Sequence, residues 1–186
     1  MKFPKGLKVE ACASREVGRY AMHGIKVEGD RAVATNGFVI AVVPVESEDG
    51  DDAHGQIVPA EAIKLARKVA GAKADAVVTV NGTVRAAGQE LQAIDGEFPR
   101  YQACIPSVTA ESHVMVTLDA RLLSMLFDAI AGDDGAVTFC VSRKAGEPVV
   151  LVPNACNDSG GIGVVMPISY DSDGLRVSER VAWAQR

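Results

Sequence analysis

Three times along the chain, from near residues 1, 56 and 113, one order of patterns returns: an extended run, an amphipathic stretch, then three short apolar runs. The period is roughly 50 residues with little identity between copies, which marks a structural repeat. Helical stretches interspersed with short hairpin-linked runs predict an α+β fold: repeated strand-helix-three-strand units, with helices on one face of antiparallel sheets.

In the first copy, Met1–Phe3 reads as a short strand and "PKGLKVEACAS" as an amphipathic helix. Leu7, Val9 and Ala11 point inward there, with Lys5, Lys8 and Cys12 on another side. "YAMHGIKVEG" and "RAVATNGFVIAVVPV" read as strands; Asn36-Gly37 is a strong hairpin signal. The acidic stretch "ESEDGDDAHG" is a solvated connection. The second copy has the clearest helix, from Pro59 to Gly71, with Ile63, Ala66 and Ala70 as its buried stripe and Ala62, Leu65 and Val69 beside it. Lys64, Arg67 and Lys68, at i, i+3 and i+4, form a basic patch on it. A tight hairpin around Asn81-Gly82 follows, and then "IDGEFPRYQACIP", where Pro99 and Pro106 impose a stiff, extended connector. In the third copy "HVMVTL" is a strand and Asp119 caps a helix in which Leu122, Leu123, Leu126, Ala129 and Ile130 look inward. Arg121, Ser124 and Asp128 share its other face, and "AVTFCVS", "PVVLVP" and "GIGVVMPI" are strands.

Composition narrows the function. The chain is 48% hydrophobic and 23% charged, a globular balance, and its net charge of -5 argues against a general nucleic-acid glue without excluding a segregated basic face. Cys12, Cys104, Cys140 and Cys156 form no CxxC pair and read as reduced thiols. "MKFPKGLK" lacks the apolar stretch of a signal peptide, and the longest uncharged apolar run, Ala32–Val45, falls short of the ~20 residues of a span. These features predict a soluble, cytoplasmic protein with no membrane partner. His23, His54 and His113 have no ligand spacing to cysteines or carboxylates, so no metal site is expected. "SGGIG" lacks the lysine of a phosphate loop, and Asp51 and Asp52 belong to the acidic loop; no catalytic residue or cofactor is expected.

Four stretches occur in a telling order: "RYAMHGIKVEGDRAVATNGFVIAV", "QIVPAEAIKLARKV", "IDGEFPRYQACIP" and "GVVMPI". They resemble the bacterial replicative sliding clamp, the beta subunit of DNA polymerase III. That family carries Ala-Thr-Asp-Gly-His-Arg-Leu-Ala, then Asp-Gly-x-Phe-Pro-x-Tyr, then Val-Val-Met-Pro in the same sequence order. The resemblance implies a DNA-clamp fold in which residues 1–106 correspond to the middle clamp domain and 107–169 to the second half of the last one. Residues 170–186 extend past the usual family end.

It also implies two surfaces. A pocket for a short peptide motif falls on Met22, Thr35, Gly37, Phe38, Val39, Ile40, Pro99, Ala103, Cys104, Val164, Met166, Pro167 and Ile168. An apolar groove with a methionine wall suits leucine and phenylalanine anchors. The family's His-Arg-Leu is Phe38-Val39-Ile40 here, and its later arginines are Gln102 and Ala103, which implies a more apolar pocket, less suited to a glutamine-led peptide. A channel surface facing duplex DNA without reading sequence falls on Lys5, Lys8, Arg15, Arg19, Lys64, Arg67, Lys68 and Arg121. The implied partners are duplex DNA, a polymerase or other protein bearing the clamp-binding motif, a clamp loader, and further copies of the chain. Dividing the family's ring units by the three found here implies a ring-shaped homotetramer. Two readings stay open: a processivity factor around or along DNA, and a non-ring peptide-binding protein that regulates or competes for clamp partners.

Overall fold

The computed structural model describes residues 1–47, 54–81, 83–109, 112–131, 135–144, 146–153, 161–168 and 173–186, with side chains in the last stretch from residue 177. Asp51, Asp52 and most of the acidic loop lie outside the described residues, as do Gly82, Cys156, Ser159, Gly160 and Tyr170. The chain divides into two compact units, Met1–Ile105 and Pro106–Arg186.

The first unit is two repeats that exchange strands. Strand β1 (Lys2–Phe3) is followed by β2 (Gly24–Glu28), β3 (Arg31–Thr35) and β4 (Ile40–Pro44), then β5 (Ile57–Pro59), helix α1 (Ala60–Ala70), β6 (Ala76–Asn81), β7 (Thr83–Ala86) and β8 (Gln89–Leu91). The sheets have the orders β1-β6-β7-β8 and β4-β3-β2-β5, all antiparallel. Each repeat therefore lends its first strand to the other repeat's sheet. That strand also touches the end of its own repeat, through the bridges Lys2 to Glu46 and Ile57 to Ile94.

Period-two alternation places Ile25 and Val27, Ala32 and Ala34, and Val78 and Val80 on one side of their strands, against Ala62, Ile63 and Ala66 of α1. Burying side chains of the size of Ile25 or Ile63 contributes roughly 1.5–3 kcal/mol each. The helix begins behind Pro59 and stops at Gly71, whose φ of 72° suits glycine and whose N–H donates to Arg67 O. Ala70 and Leu65 are half-buried and Val69 is exposed, so the buried stripe is narrower than the periodicity predicted and is centred on Ile63.

The expected first helix is not a helix of that length. Only Val9–Cys12 form a 3-10 turn; Val9 is buried, while Leu7 and Ala11 are exposed. Pro4 and Gly6 discourage a longer helix, and the carbonyls of Pro4 and Leu7 accept hydrogen bonds from the Arg67 guanidinium instead.

The second unit holds one repeat. Helix α2 (Ala120–Ile130) is capped by Asp119, whose side chain accepts from Arg121 N at 2.8 Å. Strands β9 (Val137–Cys140), β10 (Val149–Pro153) and β11 (Gly163–Val165) form a sheet of order β11-β10-β9. Leu123, Leu126, Phe127 and Ile130 pack on Val149, Leu151 and Val165. Leu122 and Ala129, expected inward, are exposed, and Phe127 takes the inward place, edge-on to Phe139 with centroids 6.1 Å apart. The expected strand "HVMVTL" belongs to none of the sheets, although Ile168 N donates to Thr117 O at 2.8 Å. The tail carries helix α3 (Asp173–Gln185), where Ser178 Oγ donates to Val108 O at 3.2 Å.

Candidate functional site

Most of the first unit's expected peptide residues lie in the loop joining β3 to β4 and in the connector that covers one face of the β4-β3-β2-β5 sheet. Val33 and Ile57 point to this face, where Phe98 and Tyr101 of the connector lie over them with Ala21, Val42, Ile94 and Ile105 packed around. Phe98 and Tyr101 are thus the anchors of the connector, which turns through a 3-10 segment at Tyr101–Cys104. Pro99, Ala103 and Cys104, between and beyond these anchors, stay exposed. Tyr101 OH donates to Glu28 Oε2 at 2.7 Å, and Lys26 Nζ stands 2.6 Å from Glu28 Oε1. Burial by itself pushes the Glu28 carboxyl up, but the bonds from Lys26 and Tyr101 and the charges of Lys26 and Arg31 outweigh it, and the net shift is down. Burial, then the Glu28 carboxylate, push the Tyr101 hydroxyl up to about 12.

The loop joining β3 to β4 is fixed by its own side chains. Asn36 Oδ1 accepts from Phe38 N at 2.9 Å and Val39 N at 3.0 Å. Thr35 Oγ1 accepts from Gly37 N at 3.1 Å and donates to Val39 O at 2.7 Å. Gly37 has φ 92°, and a Cβ there would collide with the Arg19 guanidinium. Arg19 bonds Asn36 O, pairs with Glu16 at 2.9 Å and sits 5.4 Å over the Phe38 ring. The result is a rigid loop presenting an aromatic side chain: Phe38 is 82% exposed, with Val39 and Ile40 also exposed. Thr35 itself is buried and acts by holding the loop, and Met22 is half-buried beside Ala21. Val17 and Tyr20, not among the expected site residues, are also exposed on the Arg19 segment.

The remaining peptide candidates belong to the second unit. In β11, Val165 is buried while Val164 is exposed, and Met166 and Ile168 continue the exposed apolar strip with Pro167 half-buried.

Among the basic candidates, Lys5, Lys8, Arg15, Lys64 and Lys68 are exposed. Arg67 is different. Its guanidinium is 2.6 Å from Glu10 Oε1, with side-chain exposures of 15% and 7%, and it also holds the carbonyls of Pro4 and Leu7. Arg67 therefore ties the segment carrying Lys5 and Lys8 to the helix carrying Lys64 and Lys68, and its own charge is committed to Glu10. Arg19 is taken by the Phe38 loop, and Arg121 lies 3.1 Å from Asp119 in an exposed pair. The Asp119 carboxyl is held below its usual range by the hydrogen bonds from Arg121.

His23 donates to Glu16 O, His54 accepts from Gly29 N and His113 pairs with Ser112. Among the described residues no group of three or more histidine, cysteine or acidic side chains is placed to hold a metal ion, and no helix is long and apolar enough to cross a membrane.

No protein-family model and no curated protein sequence matches the chain. Among solved structures it is similar to the C. crescentus beta sliding clamp, crystallised with polyethylene glycol in its proposed beta-motif tethering region. The TM-score is 0.61 and the identity 28%, over 86% of this chain and 46% of that one. The fold is the α+β fold of a sliding clamp, and the chain spans less than half the length of that neighbour.

Proposed function

We propose that the protein is a clamp-like accessory factor in DNA replication, tethering partner proteins through a peptide-docking surface and holding duplex DNA by charge. The observation that carries this reading is the side-chain-locked Phe38 loop, on a clamp fold whose connector leaves Pro99, Ala103 and Cys104 exposed. A fixed, exposed aromatic costs little ordering entropy on binding and suits an aliphatic-plus-aromatic peptide. Val164, Met166 and Ile168 form an exposed apolar strip of the second unit's own. Lys5, Lys8, Lys64 and Lys68 supply phosphate contacts, with Arg67 as their brace.

A second reading, a peptide-binding protein that regulates clamp partners without holding DNA, draws support from the commitment of Arg67 to Glu10 and the net charge of -5. Two titrations test them: the first the peptide surface that both share, the second the duplex contact that separates them. A short synthetic peptide with adjacent leucine and phenylalanine should bind the parent and lose at least about tenfold in affinity on Phe38→Asp, the size expected of an aromatic hot spot. Unchanged affinity removes the peptide surface from this loop. Lys64→Gln/Lys68→Gln should weaken duplex binding and reduce its salt slope by about 2, without sequence preference. A parent chain that ignores duplex at low salt leaves the regulator reading.

A further inference from the structure

In the first unit both ends of the strand exchange are made by paired strands; in the second, among the described residues, neither is. The first strand of each early repeat touches the end of its own repeat, Lys2 with Glu46 and Ile57 with Ile94. Its other edge pairs with the leading strand of the other repeat's sheet, β1 with β6 and β5 with β2. The third repeat reproduces the first half of this arrangement, with Thr117 O accepting from Ile168 N. Among the described residues no strand lies beyond β9, which corresponds to β2 and β6, and residues 113–118 belong to no sheet. Val114, Met115 and Phe139 are exposed along these two stretches.

The helix shows the same open side. Leu122 and Met125 are 47% and 67% exposed, and with Ala129 they form a stripe at i, i+3 and i+7. In an antiparallel pair of α2 helices related by a two-fold axis, Met125 meets its own counterpart, Leu122 faces Ala129 of the other copy, and Arg121 faces Asp128. The stripe is thus complementary to itself in shape and charge. The first unit already contains such a pair between its repeats: Glu10, the second residue of its 3-10 turn, with Arg67 near the end of α1. Arg121 is likewise the second residue of α2 and Asp128 is near its end.

We infer that the second unit is an interface for a second copy of this chain, in which residues 113–118 of each copy add to β9 of the other and the two α2 stripes pack across a two-fold axis. The product has the architecture of the first unit. This assembly does not depend on the peptide or DNA surfaces.

Light scattering on the full chain over a range of concentrations should give at least twice the 19.5 kDa chain mass. Met125→Glu should halve that mass with unchanged circular dichroism, because the side chain is exposed within one copy. Asp128→Arg should do the same through repulsion by Arg121, and Arg121→Asp/Asp128→Arg should restore the larger mass. A parent that is a single chain at every concentration overturns the inference. So does an assembly indifferent to all three variants. If removal of residues 173–186 converts a monomeric parent into a dimer, α3 rather than a second copy occupies the surface, and the inference fails for the intact chain.

Discussion

Replacing Arg67 with alanine separates a structural brace from a solvated DNA contact. The guanidinium meets Glu10 at 2.6 Å with the carboxylate 7% exposed, and the second oxygen, Oε2, is buried with no partner in the described structure. Arg67→Ala leaves that carboxylate buried without its counter-charge and frees the carbonyls of Pro4 and Leu7. Breaking a buried pair on one side costs about 3–5 kcal/mol; the residual exposure of Arg67 puts the expectation at about 3 kcal/mol. That is a large share of the roughly 5–15 kcal/mol that holds a domain folded. With a urea slope of about 1.5 kcal/mol per molar, the midpoint of the first unit falls by about 2 M. The single tryptophan, Trp183, lies in the second unit, so its fluorescence reports that unit while far-ultraviolet circular dichroism reports both. Circular dichroism should therefore gain an early transition that Trp183 does not follow. The double replacement Glu10→Gln/Arg67→Met, which removes both charges, should recover much of the loss. A midpoint within about 0.3 M of the parent would refute the brace, since surface replacements stay within about 0.5 kcal/mol.

Tyr101→Phe removes the hydroxyl that donates to Glu28 and should cost about 1–2 kcal/mol in the first unit. The parent tyrosine is raised from 10.0 to about 12 on folding, so its contribution is complete below pH 10 and is lost as pH climbs toward 12; Tyr101→Phe should flatten that alkaline decline. Glu28 works in the opposite direction: its carboxyl is lowered from 4.5, so its contribution is present above that value and fades as pH falls below it. Both are read from urea midpoints across pH. Asp119→Ala removes the α2 cap and should lower the stability of the second unit by about 1 kcal/mol, followed by Trp183 fluorescence.

Local chemistry made much of this fold legible. Alternation at Ile25–Val27 and Val78–Val80, the proline and glycine bracketing α1, and the Asp119 cap are short-range signals that match the elements found, although Tyr20–His23, read as the start of the β2 strand, forms a 3-10 turn. The Asn36-Gly37 hairpin was legible as a turn, but its four-residue form depends on Thr35 and Asn36 side-chain bonds that a dipeptide does not announce. What the sequence hid is non-local. Arg67 and Glu10 stand 57 residues apart, and no periodicity distinguishes an arginine turned to a buried carboxylate from one in water. Leu122 faces outward where periodicity predicts it inward, and Phe127 takes a core place. Helix α2 carries apolar residues around most of its circumference, so packing partners decide its orientation. The strand expected at 113–118 has the right residues, yet it joins no sheet among the described ones.

Where a bound peptide sits decides the central claim most directly. Amide hydrogen exchange of the full chain, with and without a saturating leucine-phenylalanine peptide, reports that position segment by segment. Slowed exchange at residues 36–42 and 99–105, with α1 unchanged, is the expected result. Protection confined to α1 or to other segments, with the Phe38 loop exchanging as in the free protein, would contradict it.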